Sequence, residues 1–496
     1  NLTKAKQLAA EKPTSTYTFT TVPSPSKVQD FINKGEYEKA IVALDNLRTV
    51  EFYQDQGNTT PTVPQLNSVS KIKNFLTAGD NATGSKSAMI YTFLSTNQTN
   101  PNGSALNLFA VTTTDVIYKT IPLINGQYQK LVAGQYQNFD LDTTITDFRS
   151  EVKSTGTNEN GEFLYFLQAA DLYDVLFRPL KSALSQVDNL VFSTDNLFRT
   201  IPFAALYDNR TSDNDGTMHL VEKYSSSIAP SFQVIEKSRY TSLKSANVLK
   251  MGAREFSGGW DPLPSARTEL ENIARIESQN APTVKHSPVY MNKQFSKNNL
   301  KTFIAKNDAP IIHLATHGKY VGDSQSSYVP SQSSYIALGT NTPNGFDGLT
   351  QAELRQLQDL RNKDLLVFSA CDTLVGGGGG MAGAALVAGV KSAIGCRWVV
   401  SDEATMVTMT GFYQQLLGNG LSKTKALQEA QKAMILGKVQ VTDVAGTTDR
   451  AELSIDGNKV TSSDYGQKNI KAQLVNPNRL NHPLYWAAFS LVGNPW

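Results

Sequence analysis

Few side chains in this chain can form a covalent bond to a substrate at neutral pH. There are two cysteines, Cys371 and Cys396, and five histidines in 496 residues. A thiol attacks only as thiolate, a form stabilised by a neighbouring imidazolium or by the N-terminus of a helix. The apolar run IIHLATHG ends on His317 and Gly318, LLVFSAC ends on Cys371, and CRWVVSD ends on Asp402. If these runs are adjacent strands, an imidazole, a thiol and a carboxylate project along one rim, which is the equipment for nucleophilic acyl transfer. Gly318 would let a substrate backbone or an oxyanion approach closely. The glycines at 376–380 would leave backbone N–H groups free for the same purpose, ahead of a helix near Met381. Asp402 has competing roles. It could hold His317 in one tautomer, recognise a basic side chain of the substrate, or simply cap the helix starting at Glu403.

The blander explanations are specific too. A strand-end cysteine is more often a buried, inert thiol than a nucleophile, and Cys396 lies inside a run rather than at its end. His313 reads as a core histidine, and His219, His286 and His482 carry no signal. Gly378, Gly380 and Gly383 fit the dinucleotide pattern G-x-G-x-x-G, with Asp402 as the following acid. However, CDTLV separates these glycines from their strand, and five consecutive glycines produce the pattern cheaply. No Walker A lysine and no Cys/His spacing for zinc occurs, so neither metal nor organic cofactor is expected.

Elements that could position the rim residues are legible from residue 245 onward. Apolar strands NVLKMGA, PIIHLATHG, SYIALG, DLLVFSAC and KSAIGCRWVV alternate with helical ARTELENIARIE, QAELRQLQ and GGMAGAALVAGV. Further helices begin at Asp402 and Leu421, and YWAAFSLVG is a last strand. Continuously apolar strands between helices predict a parallel sheet covered on both faces, with ligands outside its carboxyl edge. Upstream, SAMIYTFLST, LNLFAVTTTDVIYKTI and VDNLVFS predict strands, and FLYFLQAADLYDVLFRPL a helix. Residues 1–26 read as an extended arm and 53–70 as a loop. The segment KVQDFINKGEYEKAIVALDNLRTVEF between them is helical, broken at Gly35. GEYEKAIVAL looks like one unit of a helical repeat without a second copy.

Length alone predicts two or three domains. A formal charge of +2 offers no electrostatic footprint for nucleic acid, and no apolar run is long enough for membrane insertion. The chain begins at Asn1 without methionine, consistent with a removed leader and favouring export, periplasmic or extracellular, over the cytoplasm.

Taken in order, HLATHG, LLVFSACDT, GVKSAIGCRWVVSDEAT and HPLYWAAFSLVGNPW resemble the CHAT domain, a caspase- and separase-related cysteine peptidase domain abundant in cyanobacteria. Upstream, LYDVLFRPL, LFRTIPFAALYD, LVEKYSSSIAPSF and VLKMGAREF extend the resemblance over roughly 80–496. It implies an α/β fold with a caspase-like, mostly parallel sheet flanked by helices at 245–496, preceded by a degenerate caspase-like α/β half at 81–240. A short helical N-terminal segment at 1–80 would offer a surface for a protein partner. It further implies a His317–Cys371 dyad that hydrolyses peptide bonds of a protein or peptide substrate. Five glycines after SACDTLV exceed the family pattern, which leaves the loop beside the nucleophile and the substrate preference open. Caspase-like dyads commonly act without a third carboxylate, so Asp402 is expected to line a pocket for a basic side chain. The alternatives are a non-catalytic scaffold of the same fold and, more remotely, a dinucleotide-binding domain.

Overall fold

The computed structural model describes residues 22–58, 65–95, 104–132, 135–159, 161–209, 218–256, 260–306, 308–321, 333–339, 348–460, 463–474 and 477–496. The extended arm expected at 1–26 lies almost wholly outside them. Three helices open the described chain. In α1 (Pro25–Asn33), Ser24 Oγ accepts from Lys27 N at 3.3 Å, and Pro25 sits in the first turn, where its missing N–H costs nothing. Gly35, at φ 70°, makes the expected break before α2 (Tyr37–Asp55). Helix α3 (Val69–Thr83) is not anticipated, because Val69, Ile72 and Leu76 form a thin apolar stripe in a polar run.

One sheet of eleven strands runs through the whole molecule. Its strands are β1 (Ser87–Ser95), β2 (Ser104–Val111), β3 (Val116–Leu123), β4 (Asn189–Ser193), β5 (Ser225–Ile228) and β6 (Val248–Gly252). They continue with β7 (Val289–Met291), β8 (Ile311–Ala315), β9 (Leu365–Ser369), β10 (Ser392–Cys396) and β11 (Phe489–Gly493). The order across the sheet is β7-β6-β8-β9-β10-β11-β5-β4-β1-β2-β3. Strands β7 to β10 are mutually parallel, and so are β11, β5, β4 and β1. The two parallel blocks meet antiparallel at β10 and β11, and β1-β2-β3 is an antiparallel edge. The fold is therefore α/β with a mostly parallel sheet flanked by helices. The main sheet takes strands from both 81–240 and 245–496, joined where β11 pairs with β5.

Burial alternates along the central strands as a doubly covered sheet requires. Ile311 and Ala315 face one core and Ile312 and Leu314 the other. The first core is closed by α4 (Leu141–Glu151), α5 (Tyr165–Leu176), α6 (Pro264–Asn280), α9 (Asp402–Tyr413), α10 (Lys423–Ile435) and α11 (Asp464–Gln473), and the second by α7 (Lys297–Lys306) and α8 (Gly380–Val387). Helices α1 to α3 cover the opposite face of the first block. There Ile41, Leu44 and Leu76 pack with Tyr91, Phe109 and the terminal Trp496.

Two expectations need correcting, and one small sheet is not anticipated. SYIALG is a strand, but Ser333–Ala337 belongs to a separate small sheet with Gly318–Val321 and Gly348–Thr350. YWAAFSLVG is only partly strand, because Trp486 ends a short helix begun by Pro483, although Trp486 and Phe489 are both buried. Finally, residues 439–459 form a three-stranded sheet whose polar, half-exposed strands leave little apolar signal.

Candidate active site

Strands β8 and β9 are parallel neighbours with Ala315 opposite Ser369. The pairing runs one residue further, since Thr316 N donates to the Ser369 carbonyl at 3.1 Å. His317 and Cys371 each follow two residues beyond the matched pair, so the register brings the two residues to neighbouring chain positions at one rim. Neighbouring strands are about 4.8 Å apart, close enough for such side chains to meet. Gly318 keeps the two loops together: a β-carbon there would lie 2.2 Å from the Cys371 carbonyl oxygen, so no other residue fits without displacing the backbone. Thr316 Oγ1 donates to the Ala337 carbonyl at 2.7 Å, and Ala337 N donates to the His317 carbonyl at 2.8 Å, pinning the histidine loop from its other side.

The imidazole of His317 is held firmly. Its Nε2 donates to the backbone carbonyl of Asp261 at 2.7 Å. Its ring stacks on Trp260, with centroids 4.7 Å apart and planes 20° apart, and also meets Phe256 at 4.7 Å. A proton fixed on Nε2 leaves Nδ1 as the acceptor of the neutral ring. Burial pulls the His317 pKa below its ordinary value, against the Asp261 carbonyl, which favours the charged form. The Cys371 thiol is half-buried, and burial pushes it up, with Asp372 and Asp402 adding to the effect and the backbone at Val400 opposing it. Both shifts favour the neutral pair at rest, thiol and imidazole, over thiolate and imidazolium.

Of the roles set out for Asp402, the structure shows neither the cap of its own helix nor a bond to His317. The cap of α9 is Ser401, whose Oγ accepts from Ala404 N at 3.4 Å. Asp402 Oδ2 instead accepts from Ser265 N at 2.6 Å, in the first turn of α6, so it serves a neighbouring helix N-terminus. Burial, with Glu269 contributing, pushes its carboxyl up to about 6, while the bond from Ser265 opposes the shift. The orienting hydrogen bond on His317 comes from the Asp261 carbonyl and not from Asp402.

The glycine run adopts left-handed backbone at Gly376, Gly378, Gly379 and Gly380. Its N–H groups are not all free for an oxyanion, because Gly379 N donates to the Gly376 carbonyl at 3.3 Å. A β-carbon at Gly380 would lie 2.4 Å from the Val375 carbonyl, and one at Gly383 1.9 Å from the Gly378 carbonyl. These glycines serve close packing of the chain on itself, which accounts for the pattern without a bound pyrophosphate. From outside the loop, Gln56 at the end of α2 donates Nε2 to the Gly378 carbonyl at 3.1 Å, and its Oε1 accepts from Gln351 Nε2 at 3.1 Å.

The remaining candidates are structural. Cys396 is 1% exposed, its Sγ donates to the Trp398 carbonyl at 2.9 Å, and burial pushes its pKa well above the thiol range. His313 is a satisfied core histidine, with Nε2 2.6 Å from Glu269 Oε1 and Nδ1 3.0 Å from Tyr413 OH. Among the described residues no group of three or more His, Cys, Asp or Glu side chains could hold a metal ion, and no helix is long and apolar enough to cross a membrane. Sequence reasoning missed Phe256, Trp260 and Asp261. Their loop leaves the carboxyl end of β6, the strand beside β8, and two aromatics, Phe256 and Trp260, in a loop at that rim were the available signal.

A family model, the CHAT domain, matches residues 168–494. Among solved structures, the separase–securin complex of Saccharomyces cerevisiae matches with 10% identity and a TM-score of 0.47, over 92% of this chain and 33% of the separase chain. The Arg-specific cysteine proteinase gingipain R matches with 10% identity and a TM-score of 0.36, over 72% of this chain and 74% of its own. This chain thus spans about a third of the length of the separase chain. Curated proteins gave no match.

Proposed function

This chain belongs to the CHAT domain family, and from that premise we propose that it is a cysteine endopeptidase acting through His317 and Cys371. The observation that carries the reading is the shared register of β8 and β9, tightened by the glycine-only contact between Gly318 and the Cys371 carbonyl. The Asp261 carbonyl holds the Nε2 proton of His317, so Nδ1 takes the proton of Cys371 as sulfur attacks the scissile carbonyl. The tetrahedral oxyanion collapses to a thioester, and the imidazolium returns its proton to the leaving amine. Water, deprotonated by His317, then hydrolyses the thioester and frees the thiol. The close approach that Gly318 permits is taken by the Cys371 carbonyl, so it is the backbone N–H of Gly318, beside the nucleophile, that is assigned to the oxyanion.

Finer assignments follow from the same reading. Asp402, a desolvated carboxylate near the nucleophile, is assigned to the pocket for a basic side chain before the scissile bond. Residues 81–240 are assigned as a degenerate caspase-like half and 245–496 as the peptidase half. The N-terminal helices regulate the loop after Cys371 through Gln56 and are the surface for a protein partner.

The test is cleavage of an unfolded protein substrate by the full chain, with fragments read by mass spectrometry. Cys371→Ala and His317→Ala should each abolish cleavage while circular dichroism stays unchanged. Fragments produced undiminished by Cys371→Ala would end the dyad assignment. A folded wild-type chain that cleaves nothing and whose Cys371 is no more reactive than a free thiol would be the non-catalytic scaffold instead.

A further inference from the structure

A cavity of about 400 Å³ lies where the N-terminal helices, the first block and the loop after Cys371 meet, and neither member of the dyad lines it. That volume suits a small molecule. Phe52, Leu374, Trp398 and Val492 give the lining an apolar part. Arg149, Lys153, Arg199 and Arg397 add cations. Arg397 follows β10, where its Nε donates to Ser490 Oγ at 3.3 Å and its Nη1 to the Arg199 carbonyl at 2.9 Å. Its Nη2 is buried and has no hydrogen-bond partner among the described residues. A buried donor without an acceptor costs about 1–3 kcal/mol, more when charged; Nη2 is closed to water, so an acceptor in the cavity gains it by a shift of the guanidinium.

The charges around it do not supply one. Arg199 and Asp55 line the same cavity but pair with each other at 3.3 Å. Arg149 and Lys153 stand exposed at the rim, with no ion pair to any described residue; Lys153 only interacts at longer range with Asp372. Burial and the nearby Arg149 pull the Arg397 guanidinium down to about 10, as expected of a cation crowded by another and lacking an anion. Three cations without acidic partners therefore face one half-apolar cavity.

We propose that this cavity binds a small anion with an apolar body, its acidic head on Arg397, Arg149 and Lys153 and its body against Phe52, Leu374 and Trp398. The class is an aryl or alkyl sulfonate, carboxylate or phosphate. Because Leu374–Gly376 lines the cavity on one side and α2 on the other, occupancy braces the loop that follows the nucleophile. The inference rests on the cavity and not on the peptidase reading, so it is tested by binding alone in the Cys371→Ala chain.

The probe is 1-anilinonaphthalene-8-sulfonate, and its control is N-phenyl-1-naphthylamine, which has the same rings without the sulfonate. Fluorescence titration should give one saturable sulfonate site and markedly weaker binding of the neutral control. Arg397→Met should weaken the sulfonate about 10-fold or more, the effect of losing a charge-assisted bond. In case Arg397→Met fails to fold, the exposed pair Arg149→Gln with Lys153→Gln provides the same test and should also weaken binding. Equal affinity for the neutral control, or unchanged sulfonate affinity in the rim double variant, overturns the proposal.

Discussion

The two parallel blocks of the sheet place the same pair of positions to opposite use. In the second block Ala315 pairs with Ser369, and two residues later stand His317 and Cys371. In the first block Tyr91 pairs with Ser193 in the same parallel sense, and two residues later stand Phe93 and Asp195. Each central strand, β4 or β9, lies between two parallel neighbours, so backbone geometry alone does not distinguish the sites. The side chains do. Asp195 is fully engaged: it accepts from Thr92 Oγ1 at 2.9 Å and Leu94 N at 3.1 Å, and pairs with the buried Arg48 of α2. Cys371 makes no ion pair to any described residue and is only partly buried, and His317 follows the end of the neighbouring strand. One strand end fastens the N-terminal helices, and the other is left unfastened for chemistry. A fold supplies rims, and residue type decides whether a rim holds structure or a reaction.

The largest effect should come from removing the strand that both blocks share. β11 pairs with β10 on one side and β5 on the other, and it carries Phe489 and Leu491 behind Trp486, all buried. Burial of such side chains contributes roughly 1.5–3 kcal/mol each. Deleting residues 484–496 should abolish cooperative melting of the whole chain, not of the second block alone. If the truncated chain keeps an unchanged melting curve, β11 does not join the blocks energetically. If only one transition disappears, the blocks fold separately.

Next in size is the contrast between the two rims. Arg48→Met strips Asp195 of its partner, and breaking a buried pair from one side costs about 3 kcal/mol. Cys371→Ala removes an uncommitted thiol and should cost under about 1 kcal/mol. Urea denaturation measures both, and the expected ranking is stability lost at the first rim and cleavage lost at the second. Equal destabilisation by the two substitutions would erase the distinction. Alkylation sharpens it further: iodoacetamide should modify Cys371 at least about 10-fold faster than Cys396, whose sulfur is buried. Labelling of both at one rate, or of Cys396 first, contradicts the assignment of the nucleophile.

The residues that sequence made legible are those whose strand carries an unbroken apolar run. IIHLATHG and LLVFSAC announce two strands, which end at Ala315 and Ser369, so His317, Gly318 and Cys371 fall just past neighbouring strand ends, close to where pattern alone puts them. The polar supports are silent because their partners are distant in sequence. Asp261 acts through its carbonyl, which any residue could provide, and its partner His317 lies 56 positions away. Gln56 reaches the Gly378 carbonyl across 322 positions. Asp402 shows the intermediate case. Its place after a strand is readable, but its bond to Ser265 N depends on how α6 approaches, and local spacing holds no trace of that.

The smallest expected effect separates two carboxylates that titrate alike. Asp45 in α2 and Asp402 in α9 are both pushed up to about 6, chiefly by burial. Asp45 accepts from Phe232 N at 2.6 Å and Tyr91 OH at 2.9 Å, deep under the first block. A carboxyl whose folded pKa exceeds its unfolded value holds its proton longer in the native state. Native stability from that group is therefore full below about 4, falls as pH rises from about 4 to about 6, and is level above. Asp45→Asn and Asp402→Asn should each remove that fall, seen as a wild-type-minus-variant difference in urea midpoint that declines as pH rises from about 4 to about 6. Activity should part them. In the wild type, kcat/KM for an Arg substrate relative to a neutral one should rise as pH passes about 6, because Asp402 then ionises; the ratio cancels the titration of the dyad itself. Asp45→Asn should keep that rise. Asp402→Asn should flatten it and lower Arg and Lys substrates about 10-fold above pH 6, the loss of one charge-assisted pair, while sparing neutral ones. A ratio that stays pH-independent in the wild type would leave Asp402 as the structural twin of Asp45, tied to Ser265 and nothing else.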